Sequence, residues 1–550
     1  MNKNLNSLLT NCHIRKTMAK SLTLIFLCST VLTGCGTSSK DVATSTLSNA
    51  GYTVDANTPA WKIDKQENSK LTWYVNQDWW NTDYGKDTIT KKIKEDLKLD
   101  IEFIKGDDTK LNTYFAGEQM PDIITLFQGN SPTALKADTW AYPLQDLADK
   151  YDPYFYKVAK DQTLSWYKLK DEKTYGYPSF SNTQQDYDNG LPGNDAFIIR
   201  EDIYKAIGEP KMSTPNEFLS ALKAIKEKYP DIVPFGFRGF GENGDTGSLG
   251  KPFQDYIGVD ISTTDKKFYN RNLDEKYLSW IKVFNEAYKS GLISEDNFSD
   301  NSTIFEEKVA SGKYATMFAS GTAQLSSNLQ KNIAQDAKKK YIAVDGPSSG
   351  KERALTQSGI SGWTVTYISK KCKNPQKAMQ LFTYLLDEPG QFLCNYGIQG
   401  ETYKLNAEGK AEVLPEIKKV SKENPEEYKT KYRLGEFFFF GNDGFKIKNG
   451  AEVVGDSIKQ MVDWANGKVK PQFIIENIDP DQGSAESRSL TNINNNWATT
   501  LATLLRAKDD TEFEKIVSDY KKFLDENKFD SIVKVRNDKM GQNAQKLGLK

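Results

Sequence analysis

Short apolar runs alternate with helical patterns over the first part of the chain, and this alternation constrains the fold most. Residues 70–75 and 99–104 are rich in β-branched, aromatic and aliphatic side chains, and an apolar run at 122–127 is bounded by proline and glycine. Helical patterns cover 88–97 and 108–115 between them. Strands that alternate with helices at this spacing predict βαβ units, a largely parallel sheet and an α/β fold.

The residues that follow these strands are the first candidates for a binding site, because ligands of such sheets lie beyond the carboxyl ends of strands. Asp78, Trp79 and Trp80 follow the first strand, and Phe127 and Gln128 follow the third. An aromatic face stacks on the C–H face of a sugar ring, while carboxylates and amides bond its hydroxyls. These five residues are therefore candidates for binding a sugar. The alternative for the tryptophan pair is that one ring packs in the core.

The chain begins with a segment that is typical of exported proteins. Residues 1–20 carry four basic and no acidic side chains, and an apolar stretch of 12 residues follows at 21–32. A basic start, a short apolar stretch and small residues at its end predict a secretory signal peptide. A stretch of this length falls short of the ~20 residues that a bilayer span needs, so it is not a transmembrane anchor.

The end of this segment predicts a lipid anchor. Leu32-Thr33-Gly34-Cys35 resembles the bacterial lipobox, in which the cysteine receives a diacylglycerol and the chain is cut just before it. An ordinary signal peptide with a chance cysteine is the alternative. We expect residues 1–34 to be removed, Cys35 to be lipidated and residues 35–60 to form a flexible tether. Two or more acyl chains would hold the protein at the extracytoplasmic face of the cell membrane.

Composition excludes several classes of function. Removal of residues 1–34 moves the net charge from −1 to −5, so the basic surface expected of a nucleic-acid-binding protein is missing. His13, the single histidine, lies in the signal peptide, which excludes Ser-His-Asp and Cys-His catalysis and disfavours a catalytic zinc site. Cys372 and Cys394 remain beside Cys35, and either a disulfide or a free buried pair is compatible with an exported protein. We expect no cofactor and no metal.

Motifs in the middle of the chain carry a resemblance to a known family. Residues 174–178, followed by 197–202, look like the crossing from a first lobe to a second. Residues 213–218 form a capping box with proline at the first helical position and look like the "TP-x-E-F/L" helix start. Residues 288–293 and 305–317 look like the "K-x-G-L-I … F-x-x-G-K-x-A-M" segment.

Two later stretches complete this order. Residues 363–378 and 381–390 look like a returning strand and its "NP-x-x-A" helix, and 396–403 resembles the "YGI-x-G-x-x-Y" turn. Together, and behind a lipobox, these motifs resemble the extracellular solute-binding lipoproteins (family 1) of ABC-type sugar importers. That family includes the maltose-binding protein and larger oligosaccharide-binding lipoproteins.

The resemblance implies a two-lobe, periplasmic-binding-protein-like α/β fold with a hinge and a cleft between the lobes that holds the sugar. It assigns 61–180 plus 345–400 to the first lobe. It assigns 181–344 plus 401–550, with a helical C-terminal region, to the second. Hinge closure would trap the ligand. Some relatives bind calcium after the "TP-x-E-F" helix, but here residues 227–231 run straight into a strand, so we expect no calcium there.

Further candidates for the cleft follow from these motifs. Arg200 ends the crossover strand, Arg238 and Phe240 lie in a Gly-rich loop of the second lobe, Trp363 opens the returning strand, and Tyr403 ends the turn motif. A role in packing or in an ion pair is the alternative for several of them. The arginines would suit a carboxylate on the ligand, whereas the tryptophans suit neutral and acidic sugars alike. The charge of the sugar therefore stays open.

Three functions are compatible with these observations. The first is a binding protein without catalysis, which delivers an oligosaccharide to the membrane permease of an ABC importer. The second is a secreted carbohydrate-active enzyme with paired carboxylates, which would be distinguished by product formation. The third is a sensory or adhesive lipoprotein with the same fold. For the first we expect a monomer, attached to the membrane by its lipid, that binds no nucleic acid.

Overall fold

Two mixed β-sheets organise the fold in the computed structural model. The residues that it describes are 47–117, 119–241, 244–355, 359–451 and 457–549. The predicted signal peptide, Cys35 and the tether up to residue 46 lie outside these ranges. Within them, no helix has both the length and the apolar character that crossing a membrane requires.

The strands belong to the two sheets and to a separate hairpin. In chain order they are β1 Ser69–Val75, β2 Leu99–Lys105, β3 Ile123–Leu126, β4 Gly176–Pro178, β5 Asp195–Arg200, β6 Val233–Phe237, β7 Tyr314–Ser320, β8 Tyr341–Ala343, β9 Val365–Ile368, β10 Tyr403–Leu405 and β11 Ala411–Val413. The first sheet has the order β2-β1-β3-β9-β4 and the second the order β6-β7-β5-β8, while β10 and β11 form the hairpin.

Both sheets mix parallel and antiparallel pairs. In the first sheet β1 is parallel to β2 and β3, whereas β9 is antiparallel to β3 and β4. In the second sheet β6 is parallel to β7, and β5 is antiparallel to both β7 and β8. The predicted βαβ start and the α/β fold class are confirmed. The prediction of a largely parallel sheet is wrong, because two of the four strand pairs in the first sheet are antiparallel.

Helices fill the connections between the strands. Those before β5 are α1 Thr88–Leu97, α2 Asp108–Ala116, α3 Ala137–Trp140, α4 Leu144–Tyr151, α5 Phe155–Val158, α6 Asp161–Trp166 and α7 Gln184–Asp188. Those between β5 and β8 are α8 Glu201–Ala206, α9 Pro215–Lys228, α10 Lys251–Tyr256, α11 Glu275–Lys289, α12 Ser302–Ser311 and α13 Thr322–Gln335. Those after β9 are α14 Pro375–Leu386, α15 Glu388–Tyr396, α16 Pro415–Glu423, α17 Pro425–Glu427, α18 Asp443–Asn449, α19 Lys459–Ala465, α20 Ala485–Leu504, α21 Asp510–Glu526 and α22 Phe529–Lys546.

Local capping signals set several helix boundaries. The Asp87 carboxylate accepts the backbone N–H of Thr90 (2.9 Å), so α1 begins where the sequence predicts. The predicted capping box before α9 is present, because the Thr214 N–H donates to the Glu217 carboxylate (3.0 Å) and the Thr214 hydroxyl accepts the Glu217 N–H (3.4 Å). Such caps are typically worth about 1 kcal/mol each.

Each sheet covers a hydrophobic core of its own. In the first, the fully buried Trp73 packs against Phe103 and Phe439, with ring centroids 5.3 and 4.4 Å apart. In the second, Phe235 packs against Phe284 at 5.1 Å. Two separate cores of this kind give the chain two lobes that can each keep their shape.

Residues 403–440 correct the predicted domain boundaries, which placed 401–550 in the second lobe. Ile417, Leu434 and the run Phe437–Phe440 lie in the core of the first sheet. Met461 and Trp497, further along, pack in the cores of the second sheet. The mostly charged composition of this region gave no indication of its lobe, whereas the four consecutive phenylalanines belong to the core of the first lobe.

The predicted tether is also shorter than expected. The Tyr52 hydroxyl donates to the carbonyl of Tyr151 (2.9 Å), and the Ala60 N–H donates to the Asp152 carboxylate (3.1 Å). Residues 47–60 therefore pack on the first lobe, and the prediction of a flexible tether is wrong for them.

The chain crosses between the lobes at 179–194, at 344–364 and again after residue 440. The first crossing leaves the carboxyl end of β4 and enters β5, and the second leaves β8 and enters β9. The C-terminal helix α22 also reaches the first lobe, because the Lys546 ammonium donates to the carbonyl of Trp166 at the end of α6 (2.8 Å).

Candidate functional site

The strand register brings several segments to one edge of the first sheet. Val75 pairs with Thr125, Leu126 pairs with Val365, and Val365 also pairs with Pro178. The carboxyl ends of β1, β3 and β4 and the start of β9 therefore lie side by side. The residues that follow or precede them, which include most of the predicted site, share this edge.

Four rings meet at this edge and form what we call the aromatic platform: Trp79, Phe127, Trp363 and Phe438. The planes of Trp79 and Trp363 differ by 10° with centroids 6.5 Å apart, and Phe127 stands edge-on to both at 5.7 and 5.2 Å. Phe438 backs Trp363 at 4.6 Å.

Exposure distinguishes the two platform tryptophans from the rest. Trp79 is 56% exposed and Trp363 is 45% exposed, whereas the other eight tryptophans of the chain are buried or half-buried. Water-facing indole rings cost hydrophobic free energy, at roughly 25 cal/mol per Å² of apolar surface. A pair held parallel in solvent is therefore typical of a surface that a ligand covers.

Polar side chains surround the platform. Asp78 and Gln128 are exposed beside Trp79 and Phe127. The Asn477 amide donates to the Ser361 hydroxyl (2.8 Å) and accepts from the Asn130 amide (3.4 Å). The edge thus combines flat apolar rings with amide and carboxylate groups, as a sugar requires.

Trp80 does not belong to the site, so the prediction that it contacts a ligand is wrong. It is 2% exposed and packs against Phe103 and Phe439 at 5.7 and 4.6 Å. The guanidinium of Arg433 lies 4.7 Å over its ring. Adjacent side chains leave a turn in different directions, so one tryptophan faces solvent and the other anchors the loop in the core.

The platform is attached to both crossovers. The Trp363 N–H donates to the carbonyl of Ser179 (3.0 Å), and Gly362 before it has a φ of +65°. Phe180, in the first crossover, has a φ of +52°, which is unusual for a bulky residue, and its ring lies 6.5 Å from Trp363. Strained backbone of this kind clusters at ligand sites and hinges. A ligand stacked on Trp363 would therefore contact the segments that join the two lobes.

A partly buried carboxylate holds the second crossover in place. Glu476 accepts the backbone N–H groups of Ile360 (3.1 Å) and Ser361 (2.9 Å). Burial raises the pKa of Glu476 above its usual value, and these N–H groups oppose the rise. Gly359 leaves the space that this carboxylate occupies, since a Cβ there would lie 1.8 Å from it.

The corresponding edge of the second sheet holds Arg238 and Phe240. Phe237 pairs with Phe318 and Asp195 pairs with Ser320, so the carboxyl ends of β6 and β7 adjoin the start of β5. The first crossover enters at this edge and the second leaves from it, because Ala343 at the end of β8 pairs with Ile198. The crossovers therefore link the two edges.

The second edge is polar. The Arg238 guanidinium lies 3.4 Å from the Asp245 carboxylate, with both side chains about 40% exposed. Phe240 is half-buried and stacks on Phe298 with centroids 6.3 Å apart, so its ring serves packing first. Asp195 accepts the Gly321 N–H (3.1 Å), and burial raises its pKa to about 6.

Arg200 and Tyr403 lie away from both edges, so these two predictions are wrong. Arg200 ends β5 at the opposite edge of its sheet, where its buried guanidinium pairs with Asp202 (2.6 Å) and donates to the Gly312 carbonyl (2.9 Å). Tyr403 is buried in the β10–β11 hairpin and stacks on Phe392 at 5.8 Å.

Metal and thiol chemistry find no support in the described residues. They contain no group of three or more carboxylate, histidine or cysteine side chains that could hold a metal ion. Cys372 and Cys394 are both free and buried, so the alternative of a disulfide is excluded. Burial raises the pKa of Cys394 to about 12, which keeps it protonated and unreactive.

Sequence reasoning missed Phe438 and Phe180. Phe438 lies far along the chain from the other platform residues, and the four-phenylalanine run was the signal for it. Phe180 lies two residues after the predicted strand at 174–178, and the rule of strand ends would have included it.

The sequence profile of the bacterial extracellular solute-binding protein family matches residues 82–392, more than half of the chain. Among curated proteins, lipoprotein LipO of Bacillus subtilis (strain 168) is 26% identical over 227 residues, which are 38% of this chain and 44% of that lipoprotein. The match thus spans less than half the length of this relative.

Solved structures of similar shape cover nearly the whole described chain. An extracellular solute-binding protein from Bifidobacterium longum subsp. infantis aligns with a TM-score of 0.65 at 16% identity, over 86% of this chain and 98% of that one. FusA, an ABC-transporter substrate-binding protein of Streptococcus pneumoniae in complex with kestose, aligns with a TM-score of 0.61 at 18% identity, over 86% and 99%. These likenesses confirm the predicted two-lobe, periplasmic-binding-protein-like fold.

Proposed function

Because the chain belongs to the bacterial family of extracellular solute-binding proteins, we propose that it captures an oligosaccharide on the aromatic platform and delivers it to an ABC-type permease. Proteins of this family bind solutes without catalysis, so the hypothesis of a carbohydrate-active enzyme is wrong. The observation that carries the proposal is the exposed, nearly parallel pair Trp79 and Trp363.

Chemistry favours a sugar for this surface. Stacked rings bind the apolar faces of pyranose and furanose rings, and Asp78, Gln128 and Asn477 offer acceptors and donors for hydroxyls. A purely apolar ligand would leave these groups without partners, which costs free energy in a closed cleft. An oligosaccharide matches both the aromatic rings and the polar side chains of the site.

Hinge closure supplies the signal that a permease reads. Trp363 sits on the second crossover and bonds the first through Ser179, so the ligand contacts the moving part of the molecule. A ligand that touches both edges only when the lobes are closed binds the closed state more tightly and shifts the population toward it. The lipobox at Cys35 would keep the loaded protein beside the membrane that holds the permease.

The test is binding by the full chain with Cys35→Ser, against a panel of oligosaccharides. A saccharide at 100 times its dissociation constant adds about 2.7 kcal/mol of stability, which a thermal-shift assay detects. We expect Trp79→Ala and Trp363→Ala each to weaken binding about tenfold or more, since stacked aromatic contacts exceed about 1 kcal/mol. Chromatography of the sugar after incubation should show it unchanged.

Tyr156→Ala is the matched control, because Tyr156 is an exposed aromatic residue that lies outside the platform and contacts Phe155 of the first-lobe core. It should bind like the unmodified chain. If no saccharide stabilises the protein, or if the control weakens binding as much as the tryptophan variants do, the proposal is refuted.

A further inference from the structure

The arginines among the described residues are all engaged within the protein. Arginine is the side chain best suited to a ligand carboxylate, because its planar fork makes two parallel hydrogen bonds. The chain has eight arginines after the predicted signal peptide, and all of them are among the described residues. Those whose guanidinium lies within 3.4 Å of a carboxylate of the protein are Arg200, Arg238, Arg271, Arg433, Arg506 and Arg536.

The remaining two bond backbone carbonyls. Arg353 donates to Tyr256 (3.0 Å) and Pro347 (2.9 Å) and is buried, and Arg488 donates to Gly483 (2.7 Å). In the part of the chain that the structure describes, the aromatic platform therefore has no unengaged arginine to offer a carboxylate.

Two lysines near these edges are also paired with carboxylates of the protein. Lys251 lies 2.5 Å from the fully buried Asp255, and Lys446 lies 3.5 Å from Asp443 while covering the ring of Phe180. Each of these two cations thus has an acidic neighbour. A ligand carboxylate would have to compete with that neighbour for the charge.

Asp78 differs from these arginines and lysines, because its side chain has no partner among the described residues. Its charge is negative. It is exposed beside Trp79, and no described residue gives it a hydrogen bond or an ion pair. Asp107 and Asp108 lie in the same region, where burial and then these aspartates raise the pKa of the Tyr74 hydroxyl, with a smaller effect from Asp78. Lys110, a cation nearby, donates to the carbonyl of Lys105 (2.8 Å).

We infer that the site takes neutral oligosaccharides and discriminates against those with uronic acids, and that Asp78 determines this choice. An unpaired carboxylate accepts hydrogen bonds from sugar hydroxyls, which are strong because the acceptor is charged. The same group repels a ligand carboxylate at short range, and no arginine compensates. The inference rests on the proposed function, because it concerns the ligand of the same platform.

Calorimetric titration of the full chain with Cys35→Ser tests the inference. The probes are neutral tetrasaccharides of glucose, xylose, mannose and fructose, and the matched tetragalacturonate and tetraguluronate. We expect at least one neutral probe to bind at least about tenfold more tightly than either uronate. Higher ionic strength should reduce that ratio, because it screens charge repulsion at an exposed site.

The variant Asp78→Asn probes the residue itself. It should weaken binding of the neutral probe roughly tenfold, since a charged hydrogen bond is lost. It should also reduce the ratio between the affinities for the neutral probe and for the uronates. Asp83→Asn is the matched control, because Asp83 lies in the same loop but its carboxylate pairs with Lys86 (2.7 Å). The control should stay within about twofold of the unmodified chain.

Three other outcomes would each overturn a different claim. A uronate that binds as tightly as every neutral probe overturns this inference and leaves the proposed function standing. Unchanged binding in Asp78→Asn overturns the role of Asp78. Binding of no saccharide at all overturns the proposed function, and this inference with it.

Discussion

Replacement of Arg433 by methionine should destabilise the loop that carries Trp79. The guanidinium is almost fully buried and donates to the carbonyls of Asp83 (2.8 Å) and Asn81 (2.7 Å), which follow Trp79 and Trp80 in the chain. It also lies 3.4 Å from the Asp87 carboxylate and 4.7 Å over the Trp80 ring. A residue distant in sequence thus holds the loop that presents Trp79.

The magnitude follows from these contacts. Removal of one partner of a buried ion pair costs about 3–5 kcal/mol, because the other charge stays buried. The loss of two hydrogen bonds leaves two carbonyls unsatisfied, at about 1–3 kcal/mol each if no water reaches them. Asp87 keeps the N–H and hydroxyl of Thr90 (2.9 and 2.7 Å), and methionine retains much of the apolar packing. We therefore expect a loss of about 4 kcal/mol in the free energy of unfolding.

Urea-induced unfolding, followed by tryptophan fluorescence, measures this loss. Arg506→Met is the matched control, because Arg506 has a similar pair with Glu295 (3.4 Å) and a ring beneath it, but its side chain is 41% exposed. An exposed pair is worth about 0–1 kcal/mol. Adding Asp87→Asn to Arg433→Met should recover part of the loss, since asparagine still caps α1 without a charge.

Two results would refute this reasoning. Equal losses in Arg433→Met and Arg506→Met would mean that burial does not set the cost. A loss below about 1 kcal/mol in Arg433→Met would mean that the loop does not depend on the guanidinium.

Two further predictions concern the hinge and the pH dependence of stability. Gly362→Ala should lower the free energy of unfolding in urea by about 1–3 kcal/mol, because φ is +65° and a Cβ would lie 2.1 Å from the Ser179 carbonyl oxygen. Gly350→Ala is the control, because Gly350 also has a positive φ but has open space around it, and it should cost less. Equal costs would contradict the steric argument. Burial raises the pKa of Asp152 to about 6, above the unfolded value of about 3.9. Its contribution is therefore fully present below pH 4 and is lost as pH rises through 6, by up to about 3 kcal/mol. Asp152→Asn should be more stable than the unmodified chain at pH 8 but not at pH 4, and the same stability difference at both pH values would refute this.

Much of the first lobe was predictable because its signals are local. Strand and helix boundaries between residues 69 and 127 follow from periodicity and caps. The rule of strand ends pointed to Trp79 and Phe127, and the motif of the returning strand pointed to Trp363, which lies beside them. The errors have physical causes. A turn has no periodicity that tells which of Trp79 and Trp80 faces solvent, and the direction of β5 in its sheet decides that Arg200 lies at the far edge.

Long-range packing explains what the sequence could not show. Phe438 joins the platform through its contact with Trp79, more than 300 positions earlier, and no local pattern encodes such a pairing. Tyr403 illustrates the converse, since a motif position suggested a ligand contact while a local hairpin supplied the stacking partner Phe392.

The strand order of the two sheets has a consequence for biosynthesis. The second sheet uses residues 195–343 alone, so it can assemble while the rest of the chain is still being made. The first sheet cannot close until β9 enters between β3 and β4, and the run Phe437–Phe440 arrives later still. Contacts between such distant residues form slowly. A nascent chain therefore completes the aromatic platform only after residues 437–440 have been made, whereas the second sheet needs no strand beyond residue 343.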